Sequence, residues 1–173
     1  MEPKQAVTST TLRGAGAGFL AAFPQAALGE LEERLFLPPG EDADIAPRTV
    51  HRLSLLLTGH RLSSPAKWVL GTAYHFGYGA AWGIMYAHAR ERVRFGPVLG
   101  GLLLGAVIYG ITYPRWGMGV LIGAERPPGE RSRRMTAVAW SVAVGFGIAT
   151  AAIYERLRRP ARAASIGGQA SVS

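Results

Sequence analysis

His75 sits well inside an uncharged stretch of the chain, where its neighbours could give it chemistry. Residues Trp68 to His88 are 21 consecutive positions without Asp, Glu, Lys or Arg. At about 1.5 Å of helix rise per residue the run is roughly 31 Å long, the thickness of a bilayer hydrocarbon core. His75 lies roughly 10 Å along it, and an ionisable side chain at such depth is a functional candidate by default. Gly79 and Trp82 follow at i+4 and i+7, and Tyr74 and Tyr78 flank it. Tyr74, His75, Tyr78 and Trp82 together form a candidate intramembrane polar site. A neutral imidazole there can relay a proton, ligate haem or hydrogen-bond to a tyrosine across a bundle. Haem requires a second axial ligand at matching depth, and His51, His60 and His88 all fall at or outside an interface.

Glu30, Glu33 and Arg115 are candidate interfacial charges. Glu30 and Arg34 are spaced to pair at i,i+4. Glu30 and Glu33 share a face that could meet Arg115 if the first and third spans pack together. Arg115 stands beside Pro114 and near Tyr113 and Trp116, where a long side chain can snorkel. Enzymatic motifs are missing: no HExxH, GxSxG or phosphate-binding glycine loop occurs, and no acidic residue lies inside the second, third or fourth span. The expectation is a protein that is not an enzyme and holds no metal or cofactor.

The elements that must position these residues follow from segregated charge. The chain has 173 residues, 49 % of them hydrophobic, with no cysteine and a net charge of +8. Its charged residues fall in short blocks between apolar runs, which predicts one small all-α bundle of four transmembrane helices at about 14–36, 66–88, 97–114 and 135–155. The first run is read as a retained span rather than a signal peptide, because Pro24 interrupts it and no convincing cleavage site follows. Pro38-Pro39-Gly40 should stop it, and Glu41 to Asp44 reads as an acidic turn. Residues 47–62 read as an interfacial amphipathic helix. Ser64 is placed to cap the second span, with Pro65 at its first turn. Trp116 to Gly123 reads as a short apolar segment at the surface or folded back. Residues 1–11 and 160–173 are expected to be disordered.

Basic residues beside spans face anionic headgroups, so the positive charge implies a lipid bilayer and not nucleic acid as partner. Counts of Lys and Arg nearly balance across the two faces. The long first loop weighs less, which places both termini in the cytoplasm. Gly14–Gly18, Gly79–Gly83 and Gly101–Gly105 are GxxxG pairs, and Ser141–Gly145 is a small-xxx-small pair. In lipid, close backbone approach through small residues is a main source of packing energy. These faces could pack within the chain, against a second copy in a homo-oligomer, or against another membrane protein.

A Gly-rich first helix leading to Glu33 and Pro38-Pro39, then Ala46-Pro47-Arg48, then His75-Phe76-Gly77-Tyr78-Gly79 with Trp82-Gly83 and Tyr86, resembles the YagU-like family of small bacterial inner-membrane proteins. The likeness covers about Gly14 to Pro114, and Glu33 and His75 are the positions it carries over. Arg133-Arg134-Met135-Thr136 stands where that family tends to place a histidine. The resemblance implies a non-enzymatic inner-membrane protein linked to envelope integrity or stress tolerance. A small transporter or channel subunit with a polar path near His75 is the alternative, and a haem-binding electron-transfer subunit a weaker one.

Overall fold

A computed structural model of the chain describes residues 3–38 and 44–167. Among them the chain is all-helical: α1 (Pro3–Phe36), α2 (Ile45–Thr58), α3 (Ser64–Arg92), α4 (Pro97–Thr112), α5 (Met118–Leu121) and α6 (Arg133–Gly167). The long helices alternate in direction, so the start of α1 and the far part of α6 lie at one end of the bundle, with the α3–α4 loop. Helices α2 and α5 lie at the other end. Packing runs in the order α3, α1, α6, α4. Consecutive helices α3 and α4 touch at few places, which leaves a seam.

Glycine sets the contacts. Gly14 and Gly18 of α1 lie directly on Gly79 and Gly83 of α3, backbone against backbone. A Cβ at Gly14 would stand 2.7 Å from the Gly83 carbonyl oxygen, and one at Gly18 would run into the Gly79 carbonyl. Gly101 and Gly105 of α4 meet α6 in the same manner. Their Cβ atoms would stand 2.7 Å from the Cα atoms of Ile148 and Val144 respectively. The small pair of α6 in that contact is Ala143–Gly147. Ser141–Gly145 is two positions off, and Gly145 instead receives Leu28 of α1. The GxxxG faces are thus consumed inside the chain and are not presented to a second copy.

Side-chain size is inverted relative to a water-soluble domain. Among the described residues, nine of the eighteen buried apolar residues are alanines, whereas twenty-seven large apolar side chains are exposed, among them Phe19, Phe23, Trp68, Leu102 and Leu103. Burying so little large apolar surface while exposing so much is unfavourable in water. The segment Arg133–Arg158 of α6 is long and apolar enough to cross a membrane by length and composition, the one such segment among the described residues. Helix α4 is apolar but has 16 residues.

Several boundaries differ from expectation. Helix α1 begins at Pro3, so residues 3–11 are helical rather than disordered. Pro3 suits a first turn, and no helix breaker stands between it and Gly14. The Thr11 hydroxyl donates to the Val7 carbonyl at 3.0 Å and accepts from His88 Nε2 of α3, also at 3.0 Å, which ties this turn down. Helix α6 runs on to Gly167 instead of ending before 160, in keeping with the helix-forming Ala161, Ala163 and Ala164. Residues 168–173 lie outside the described residues. Helix α1 ends at Phe36, while Pro39-Gly40 and 41–43 of the expected turn are not described. The amphipathic helix is 45–58 rather than 47–62. Asp44 caps it through the Ala46 N–H, and Gly59 closes it at φ 71°, a left-handed conformation that costs glycine little. It is also more than a surface helix, since Ala46 and Thr49 are buried and Pro47 sits on Gly71 of α3. The N-cap of α3 is Ser63, not Ser64.

Replacing Gly18 by Val should destabilise the bundle by about 3 kcal/mol, because both sides of the contact are backbone and cannot yield. Gly77, which has open space around it, should accept Ala with no loss or with a gain of up to about 1 kcal/mol. Unfolding of purified protein in mild detergent separates the two. Equal effects would show that the glycine contact is not what holds α1 to α3.

Candidate functional site

His75 follows the glycine contact by geometry: one turn before Gly79 on α3, it reaches α1. Its Nε2 lies 3.2 Å from the Ala22 carbonyl oxygen. A carbonyl only accepts, so Nε2 carries the hydrogen. The hydrogen bond that the ring makes is to backbone rather than to a tyrosine. Phe76 packs edge-on to the imidazole at 5.4 Å and joins Phe19 and Phe23 in an aromatic group on the outside of α1 and α3.

The other members of the predicted polar site turn toward α4. Tyr74 stacks on Tyr78 at 5.5 Å, and Tyr78 meets the buried Trp82 edge-on at 5.9 Å. The Tyr78 hydroxyl stands 3.5 Å from the Thr112 hydroxyl, a weak bridge across the α3–α4 seam. Residues 74, 75, 78 and 82 all border one cavity of about 270 Å³, closed by Ile108, Thr112 and Phe146. A second cavity of about 250 Å³ lies between α1, α3 and α6, and Glu30, Glu33, Trp68, His75 and Phe76 border it. The two share Gln25, Ile45, Ala46, His75, Tyr113 and Val142, so they adjoin, with His75 in the wall between them. Glu33 and His75, far apart in sequence, therefore face a common cavity.

Arg115 does not join Glu30 and Glu33. It is exposed, and Glu30 pairs with Arg34 at 2.6 Å as its spacing predicts. The arginine that folds inward is Arg131. Its Nη2 donates to the Tyr113 carbonyl at 2.6 Å, and its guanidinium covers the Tyr113 ring at 5.4 Å. Tyr113 is buried, whereas Trp116 is 75 % exposed. Beside this group Arg48 of α2 pairs with the buried Glu125 at 3.2 Å. Burial pushes the Glu125 carboxyl above its ordinary range, against the opposing pull of Arg48 and Arg131.

At the opposite end Arg90 pairs with Glu155 at 2.8 Å, and Arg158, itself buried, pairs with Glu91 at 3.2 Å. Tyr154 donates to Glu91 at 3.0 Å. These contacts fasten α3 to α6 where no glycine face joins them. Arg90 and Arg158 are basic residues beside spans, the class expected to face headgroups, yet both pair across the bundle. The signal that could have separated them is the i,i+3 spacing of Glu155 and Arg158, matched by the adjacent Arg90-Glu91. Glu32 was also missed: it accepts a short hydrogen bond from Ser141 of α6. Among the described residues no three His, Asp or Glu side chains converge as metal ligands would.

No protein-family model matches the chain, nor does any curated protein or solved structure.

Because its folded pKa is raised, Glu125 favours the folded state most when protonated, and that contribution is lost as pH rises through the folded pKa. Going from about pH 4 to about pH 7, the native protein should lose stability relative to the Glu125→Gln variant, which has no proton to release. Detergent melts of both proteins across that range check the sign. A difference that is flat with pH, or that moves the other way, would show that Arg48 and Arg131 outweigh burial.

Proposed function

We propose that this chain is a multi-pass protein of the cytoplasmic membrane that crosses it with α1, α3, α4 and α6. The inverted size distribution carries this reading: alanine and glycine inside, phenylalanine, leucine and tryptophan outside. Lipid tails solvate large apolar side chains at no cost, while small residues let helix backbones approach. Helices α1 and α3 have modest average hydropathy because their inward faces are Gly, Ala, Tyr and His. Their outward faces, with Phe19, Leu20 and Phe23 on α1 and Val69, Leu70 and Met85 on α3, are those of lipid-facing helices. The 16 residues of α4 extend about 24 Å, short of the usual core thickness, and a shorter span is met by local thinning of the bilayer.

In this reading both termini are cytoplasmic and the bilayer is the principal partner. The role is non-enzymatic, and the likeness to YagU-like proteins in Glu33 and His75 supports a part in envelope integrity or stress tolerance. One observation favours a second reading, a small transport subunit: Glu33 and His75 border the same cavity.

The chain has no cysteine, so single introduced cysteines report topology without background. Gly77→Cys should resist a membrane-impermeant maleimide in intact cells and in sealed vesicles of either orientation. Arg126→Cys should react from outside the cell, and Arg94→Cys only from the cytoplasmic side. Free labelling of Gly77→Cys in every preparation would overturn the membrane reading, and an exchange of the other two would reverse the orientation.

A further inference from the structure

All six helices contribute residues to the cavity of about 270 Å³ beside Tyr78. Among the described residues no Asp, Glu, Lys or Arg borders it, in a chain with 19 Lys and Arg and 11 Asp and Glu. A charged occupant would find no counter-ion there, so the lining selects a neutral one. Close-packed interiors seldom hold a void larger than a water molecule. An apolar cavity of about 150 Å³ accepts a benzene ring, so this one has room for two fused rings. Two donors mark its wall. Trp82 is 7 % exposed and Tyr74 is half-buried, and both border this cavity and not the adjoining one. Neither the Trp82 indole N–H nor the Tyr74 hydroxyl has a hydrogen-bond partner among the described residues. Buried Trp and Tyr normally find one, and an indole N–H can only donate. Tyr78 lies between them, stacked on Tyr74 and edge-on to Trp82. Its own hydroxyl is held only weakly, by Thr112 at 3.5 Å. Ile108, Ile111 and Phe146 stand among the remaining wall, where water would meet few polar partners.

We propose that this cavity binds a neutral quinone, whose carbonyl oxygens accept from the Trp82 indole N–H and the Tyr74 hydroxyl. A quinone joins what the lining asks for: a flat ring to lie along aromatic side chains, no charge, and acceptors without donors. Tyr74 and Trp82 are eight positions apart on α3, about 12 Å of helix rise, so the two donors serve opposite edges of one ring system. Tyr78 supplies the aromatic surface between them. The site goes beyond the membrane reading and does not rest on it, since the cavity lies within the bundle whatever surrounds the outside.

The test compares menadione, a two-ring quinone, with 2-methylnaphthalene, which has the same rings and no oxygen. Each is dialysed against purified protein in mild detergent, with protein-free micelles as blank. The chain has no cysteine, so menadione has no thiol to alkylate and its binding is read as an equilibrium. Menadione should fill one saturable site and bind about tenfold more tightly than methylnaphthalene, the effect expected of two hydrogen bonds. Tyr74→Phe removes a single hydroxyl from a half-buried ring. It should weaken menadione about threefold to tenfold and leave methylnaphthalene unchanged. Equal affinity for the two compounds would mean an apolar void without donors aimed at a ligand, and overturns the proposal. Absence of saturable menadione binding, or menadione binding untouched by Tyr74→Phe, overturns it as well. Should Tyr74→Phe fail to fold, the two-compound comparison on the native chain decides.

Discussion

Everything else in this bundle hangs on helix backbones lying against one another without side chains between them. Where Gly14 and Gly18 meet Gly79 and Gly83, the interaxial distance is set by peptide groups, and the two helices act as one thick rod. The same holds for α4 on α6 through Gly101, Gly105 and Gly147. Such contacts fix register to a single turn, because sliding by one residue puts a Cβ into a carbonyl. That precision places His75 one turn from the contact and within reach of the Ala22 carbonyl. The cost is that glycine-rich faces leave no bulk to fill the middle, and the α3–α4 seam with its cavity is what remains.

Charge completes what glycine begins. The pair of α3 with α1 and the pair of α4 with α6 meet mainly through α1 and α6, where Leu28 enters the space above Gly145 and Glu32 reaches Ser141. At the terminal end, Arg90, Glu91, Glu155 and Arg158 hold α3 to α6. At the other end, α2, the Arg48–Glu125 pair and Arg131 on Tyr113 cover the opening. Long charged side chains are expensive to bury singly but tolerable in mutual contact. The Arg90, Glu91, Glu155 and Arg158 cluster and the Arg48–Glu125 pair obey that rule.

The helices themselves were legible from apolar runs bounded by charge, and the breaks at Gly96-Pro97 and at Tyr113-Pro114 were legible from turn residues, whereas the break at Gly59 fell inside the stretch read as helix. Glycine spacing foretold tight packing but not its partners, because a GxxxG pair looks the same whichever helix it faces. The α6 register was misread for a related reason: Ala143 is as small as Ser141, and only the facing helix decides between them. Length misled at both ends of the chain, since polarity suggested disorder where Thr11 is in fact anchored to His88. Arg115 and Arg131 could not be told apart by type or flanking residues. Which one turns inward depends on how α5 folds the chain back, a tertiary fact with no local signature.

The order of elements has a further meaning. Each half of the chain is a long helix, a short helix and a long helix returning the other way, with a small-residue lock between its two long members. The halves divide at residues 93–96, and both begin at the same end of the bundle. The molecule is thus a tandem of two like-built units running parallel, joined along α1 and α6. Each unit satisfies its own backbone contacts, so the join between units has the most room to vary. A space bordered by both units is where one architecture used twice in a chain can acquire a property that neither half holds alone.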